Sequence, residues 1–127
     1  MEPLRFLEFD CSEDTEGRQT WDAVASVTPR HWPALQGEVA GLLAWLHRCY
    51  GDRQGPAEDG GLWDFDLHGL VERSAPQEIR FDGARGELRL AAAGSETVRH
   101  TLTLSLSLDP AVADRLAEAL GLEIEGD

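Results

Sequence analysis

Three side chains of types that ligate metals and activate water, Asp64, Asp66 and His68, alternate along one stretch of the chain. On a strand, residues two apart point to the same face about 6.6–6.8 Å apart, so the three span roughly 13 Å. A single ion with bonds near ~2 Å gathers at most two of them, and a third ligand must come from elsewhere. The expected reading of the triplet is a solvated sheet face, and a metal-dependent hydrolase there ranks third among the functions considered. His100 falls among inward-facing apolar positions and is expected as a hydrogen-bonded residue at the edge of the core. His47 and Cys49 are two apart on a helical pattern, which points them to different faces and removes them as a nucleophile–base pair. Glu13, Asp14 and Glu16 cluster without the glycine and spacing of an EF-hand loop. The pair Glu58 and Asp59 sits in a loop, and no phosphate-binding glycine loop, GxSxG or HExxH occurs. No residue is assigned a catalytic or cofactor-binding role, and a non-enzyme without cofactor is expected.

Charge narrows the partners. With 24 acids against 11 bases, the net charge is −13, a field that repels phosphate. Nucleic acid and anionic membrane are therefore unexpected partners, and a basic protein suits the chain better. Every base is arginine, and lysine and asparagine never occur, which reads as codon bias in a GC-rich, bacterial genome. Cys11 and Cys49 match no zinc spacing and are expected as partly buried, reduced thiols. The longest nearly apolar run, Val39 to Leu46, is far short of the roughly 20 residues that span a bilayer. The N-terminus lacks a basic n-region and a cleavage site, so a cytoplasmic location is expected.

The elements that position these residues follow from periodicity. From His31 to Tyr50, the residues Trp32, Leu35, Val39, Leu42, Leu43, Leu46 and Tyr50 form one apolar stripe of a helix, with Pro33 in its first turn and Gly51 as its stop. Its far side carries Ala34, Gly37, Gly41 and Ala44, although glycine costs about 1 kcal/mol in a helix interior. That small-residue side is either solvated surface or a place of close approach by another element or a second subunit. Trp45, off the main stripe, is a candidate interface anchor. Gly37, Gly41 and Trp45 are thus one candidate interaction surface, and Glu13, Asp14 and Glu16 another.

Leu4–Cys11 and Thr20–Val27 alternate as a hairpin, Gly51–Gly61 is an expected mobile loop, and Leu62–Val71 reads as a strand with a bulge or break at Gly69. Glu78–Ala92 reads as a second hairpin. A two-residue loop at Gly83-Ala84 places Ile79 opposite Leu88, Arg80 opposite Glu87 and Glu78 opposite Arg89, whereas a slip by two would face Arg80 with Arg89. Val98–Leu108 alternates strictly, with leucines on one face and hydroxyls on the other. Asp109-Pro110 opens a last helix closed by Gly121, and the tail 123–127 is expected to be loose. These elements predict one α+β domain in the order ββαββββα, with a mainly antiparallel six-stranded sheet and two helices on one face. A half-barrel curved around the first helix is the alternative. The expected function is a small acidic interaction protein that binds a basic partner or forms a homodimer. The alternative is an enzyme or small-ligand carrier with a pocket between the first helix and the sheet, near His100 and the 51–61 loop.

Overall fold

Strict alternation in two strands creates the core. In β2 (Gln19–Val27), Trp21, Ala23, Ala25 and Val27 are buried while Asp22, Val24 and Ser26 are exposed. In β6 (Thr97–Leu108), Leu102, Leu104, Leu106 and Leu108 are buried between half-buried hydroxyl residues. The two strands pair antiparallel with Trp21 opposite Leu106 and Ala25 opposite Leu102, which stacks the large side chains on one face. β1 (Asp10–Glu13) joins the free side of β2, and β3 (Trp63–Ser74) joins the free side of β6. The result is an open four-stranded sheet in the order β1-β2-β6-β3. The computed structural model describes residues 1–122, so the expected loose tail 123–127 lies outside the described residues.

Two helices cover the apolar face. α1 (Trp32–Tyr50) buries Leu35, Val39, Leu42 and Leu46, and α2 (Pro110–Leu120) buries Val112, Ala113, Leu116, Ala117 and Leu120. All of these side chains join the strand residues in one core. The ends of α2 follow the sequence: the Asp109 carboxylate accepts from the Ala111 N–H, and Gly121, at φ +69, hands its N–H and that of Leu122 back to the last turn. α1 ends otherwise than expected. Gly51 keeps a right-handed φ of −57 and the chain runs on into a 3-10 turn at Gly51–Arg53, with the His47 ring lying over the glycine. Among the described residues, no helix is long and apolar enough to cross a membrane.

The α+β class and the element order are as the sequence predicts, but the single six-stranded sheet is corrected. Among the described residues, β4 (Gln77–Asp82) and β5 (Glu87–Ala92) pair only with each other. A strand has two edges, and those of β6 are filled by β2 and by β3, whose ladder with β6 runs through all twelve residues. That ladder passes Gly69 opposite Leu102 without a break, so no bulge forms there. β4 and β5 therefore form a separate two-stranded arm, joined to the main sheet through the end of β3 and the start of β6.

The register of the arm also differs. Ile79 faces Leu90, Phe81 faces Leu88 and Arg80 faces Arg89. Turn chemistry outweighs the facing charges: Asp82 Oδ1 accepts from the Ala84 and Arg85 N–H groups, and the Gly86 N–H donates to the Asp82 carbonyl at 2.8 Å. Gly86 sits at φ +65, where a β-carbon is strained. The two arginines turn to separate carboxylates, Arg80 to Glu78 and Arg89 to Asp82, and so avoid each other. Leu4–Cys11 is not a strand throughout: β1 is confined to Asp10–Glu13, and Leu7 instead buries itself in the core. The 51–61 segment holds two 3-10 turns, and Arg18 Nη1 donates to the Gly61 carbonyl at 2.7 Å.

Candidate interaction surfaces

Asp64, Asp66 and His68 stand on the outer face of β3, and His68 also reaches the rim of the groove between β3 and α1. Asp66 Oδ2 lies 3.0 Å from His68 Nε2, with about 70% of each side chain exposed (72% and 70%). Asp64 turns aside, accepting from the Phe65 N–H at 3.0 Å. Among the described residues, no three His, Cys, Asp or Glu side chains converge as a ligand set. His100 lies half-buried opposite Val27 and Val71, its ring stacked on Trp32 at 4.6 Å between centroids and 2° between planes. That stack ties the start of α1 to the sheet. An open groove of about 490 Å³ runs between α1 and β3, with Trp32, Val39, Leu43, Leu67 and Leu102 in its walls. It includes neither His100 nor the 51–61 loop.

The small-residue side of α1 is flanked by the N-terminal segment rather than by another helix. Residues 1–6 and the Gly37/Gly41 side enclose a shallow space of about 460 Å³. A β-carbon at Gly37 or Gly41 would meet nothing within 4 Å, so no close approach requires these glycines. Trp45 is half-buried, packs against the core and meets Tyr50 edge-on. Glu13, Asp14 and Glu16 are exposed at the β1–β2 turn, where Asp14 Oδ1 accepts from the Glu16 and Arg18 N–H groups at 2.9 Å each. Asp14 therefore shapes the turn.

Glu38 is a residue the sequence reading passed over. Its carboxylate accepts from the backbone N–H groups of Arg5, Phe6 and Leu7, the last at 2.8 Å. The signal was available: Glu38 is the sole acid in the 19 residues of α1 and lies on the side with the glycines.

Strand order assembles a surface that no single segment reveals. On the outer face, one rung reads Asp10, Asp22, Ser105, Asp66 across β1, β2, β6 and β3, and the next reads Ser12, Thr20, Ser107, Asp64. Hydroxyls of Thr101, Thr103, Ser105 and Ser107 form the middle strip, with carboxylates on both sides at Ser105, Asp64 on one side at Ser107, and exposed Val24 and Leu70 beside Thr103 and Thr101. Arg18 and Arg99 reach this face only near its two ends, donating to Ser107 Oγ at 3.0 Å and Ser26 Oγ at 3.2 Å. Asp10 and Asp22 stand directly opposite, an arrangement that like charges disfavour.

Cys11, the next residue of β1, registers the same field. Both cysteines are free and exposed rather than partly buried. Desolvation of the Cys11 sulfur, followed by the Asp10 and Asp22 carboxylates, pushes its thiol above the ordinary value. A raised thiol holds less thiolate at mildly alkaline pH, so Cys11 is expected to alkylate more slowly at pH 8 than a free cysteine. Asp22→Asn should speed that reaction. Mass-spectrometric timing of iodoacetamide labelling checks both, and an unchanged rate in the variant would show that Asp22 contributes nothing.

Charge and apolar surface are segregated along the chain. Residues 72–99 hold five acids and five arginines, net zero, which leaves 19 acids and six arginines, the whole −13, on the remainder. Of the eleven large hydrophobic residues exposed among the described residues, eight lie between Phe65 and Leu90. Four of the eight, Ile79, Phe81, Leu88 and Leu90, lie on the arm, whereas Leu70 shares the outer sheet face with Asp64 and Asp66. Comparison with protein-family models, curated proteins and solved structures gives no match.

Proposed function

We propose that the chain is a protein-binding module, not an enzyme, whose outer sheet face receives a cationic surface of another protein. The supporting observation is the rung of Asp10, Asp22, Ser105 and Asp66. Carboxylates set opposite one another repel, and an arginine or lysine laid between them removes that repulsion while gaining a charge-assisted hydrogen bond. The hydroxyl strip supplies donors and acceptors that match a polar partner without a deep pocket. The field of −13 steers a basic partner toward the body and repels nucleic acid. The reading places the protein in a bacterial cytoplasm, on its arginine-only base set and its free cysteines.

The test is capture from a lysate of the native source on the immobilised full-length chain, with the wild type and Asp22→Asn/Asp66→Asn run side by side. A basic protein should be retained at low salt, released by about 0.5 M salt where the Debye length falls to roughly 4 Å, and lost by the double variant. Equal retention by both chains, or retention indifferent to salt, would overturn the acidic-face reading.

A further inference from the structure

Among the described residues, nothing covers the continuous apolar face of the β4–β5 arm. Ile79, Phe81, Leu88 and Leu90 share that face and are 57%, 71%, 64% and 60% exposed. Neither strand makes extended contact with any element except its partner. An isolated two-stranded hairpin is marginal in water, and a hairpin that also exposes four large hydrophobic side chains needs a covering surface. β3 leaves a matching demand: it is an edge strand whose Phe65, Leu67 and Val71 lie on the helix side of the sheet and stay partly exposed, Leu67 in the wall of the α1 groove.

We infer that the covering surface is a second copy of this chain, the arm of each copy lying in the groove between α1 and β3 of the other. The dimensions agree. Six-residue strands are about 20 Å long. The groove follows α1 from Trp32 to Leu43, about 16 Å at 1.5 Å per residue. Charge also agrees: the groove is lined by no acid and no arginine, and its one titratable side chain, His68, already has the Asp66 carboxylate as partner. The charges of the arm lie on its opposite face, where Arg80 and Arg89 are already paired with Glu78 and Asp82. A neutral arm enters a groove without acids or arginines, so two bodies of like charge associate without burying an unpaired charge. The area suffices as well. Five side chains, the four of the arm and Leu67, with roughly 100 Å² each left exposed give on the order of 1,000 Å² across two reciprocal contacts, the size at which a specific interface begins. Reciprocal exchange is the isologous arrangement that closes on itself.

This inference uses residues distinct from the acidic face and stands or falls without it. The test is the solution mass of the full chain by light scattering at micromolar concentration. The wild type should run at twice its 14.0 kDa chain mass. Phe81→Asp on the arm and Ala40→Glu on the exposed wall of the groove should each give monomers, with dissociation constants raised about 100-fold. Both residues are exposed, so the circular dichroism spectrum should not change. Mixing the two variants should restore a weakened dimer, because the intact arm of one meets the intact groove of the other. Asp22→Asn/Asp66→Asn should stay dimeric, which separates this result from the fate of the acidic face. A monomeric wild type would overturn the inference. So would a dimer that survives Ala40→Glu but not Phe81→Asp, since the arms would then be pairing with each other.

Discussion

Trp63→Ala is expected to destabilise the protein by about 3–5 kcal/mol, the cost of deleting a large buried aromatic side chain. Trp63 is 1% exposed, stands opposite Leu108 and stacks on Phe65, and its Nε1–H donates to the Tyr50 carbonyl at 2.8 Å. One side chain therefore joins the end of α1, the start of β3 and the last rung of β6. Against a total stability of about 5–15 kcal/mol, its loss leaves the chain near unfolding at room temperature. Trp63→Phe separates packing from the hydrogen bond. It keeps most of the apolar contact and leaves the Tyr50 carbonyl without its donor, a loss of about 1–2 kcal/mol. Urea unfolding followed by circular dichroism measures both. If alanine costs less than about 1 kcal/mol, the anchoring role of this ring is wrong.

Glu38→Ala is expected to cost about 2–4 kcal/mol, even though alanine is the better helix former. Three backbone N–H groups converge on the Glu38 carboxylate, and an ionised acceptor binds each more strongly than a neutral one would. Without it, the segment that carries buried Leu7 loses its attachment to α1. The amides of residues 5–7 should then exchange rapidly with solvent, while those of β2 and β6 keep their protection. Glu38→Gln should fall between the two, since its single carbonyl oxygen replaces a pair of charged acceptors. A Glu38→Ala chain as stable as the wild type, with slow exchange at residues 5–7, would contradict the latch.

The parts of this molecule that were legible in the sequence are those set by local rules. The alternation of leucine and hydroxyl in 98–108 fixes which face of β6 is dry, and Asp109-Pro110 with Gly121 brackets α2 through capping within a few residues. The length of α1 was legible from its apolar stripe. What was not legible depends on residues far apart. Nothing near 87–92 states that β3 has already taken the edge of β6, so the arm read as part of one sheet. Opposing charges favour a different register for the arm, but Asp82 and Gly86 set it through a four-residue turn, and each arginine has a carboxylate on its own face. The acidic rung exists only because β1, β2, β6 and β3 are neighbours, an order that no single segment reveals. Asp64, Asp66 and His68 were read correctly as a face. The acids of β1 and β2 that share this face come from strands far away in sequence.

The claim on which the account turns is that this chain consists of a self-contained acidic body and a separate arm completed by a second copy. Amide hydrogen exchange followed over a dilution series tests it most directly. The account predicts that Leu102 to Leu108 exchange slowly at every concentration, while amides in residues 77–92 pass from slow to fast as the protein is diluted. Arm amides as slow as those of β6 in a dilute, monomeric sample would contradict it, because the arm would then be covered by its own chain.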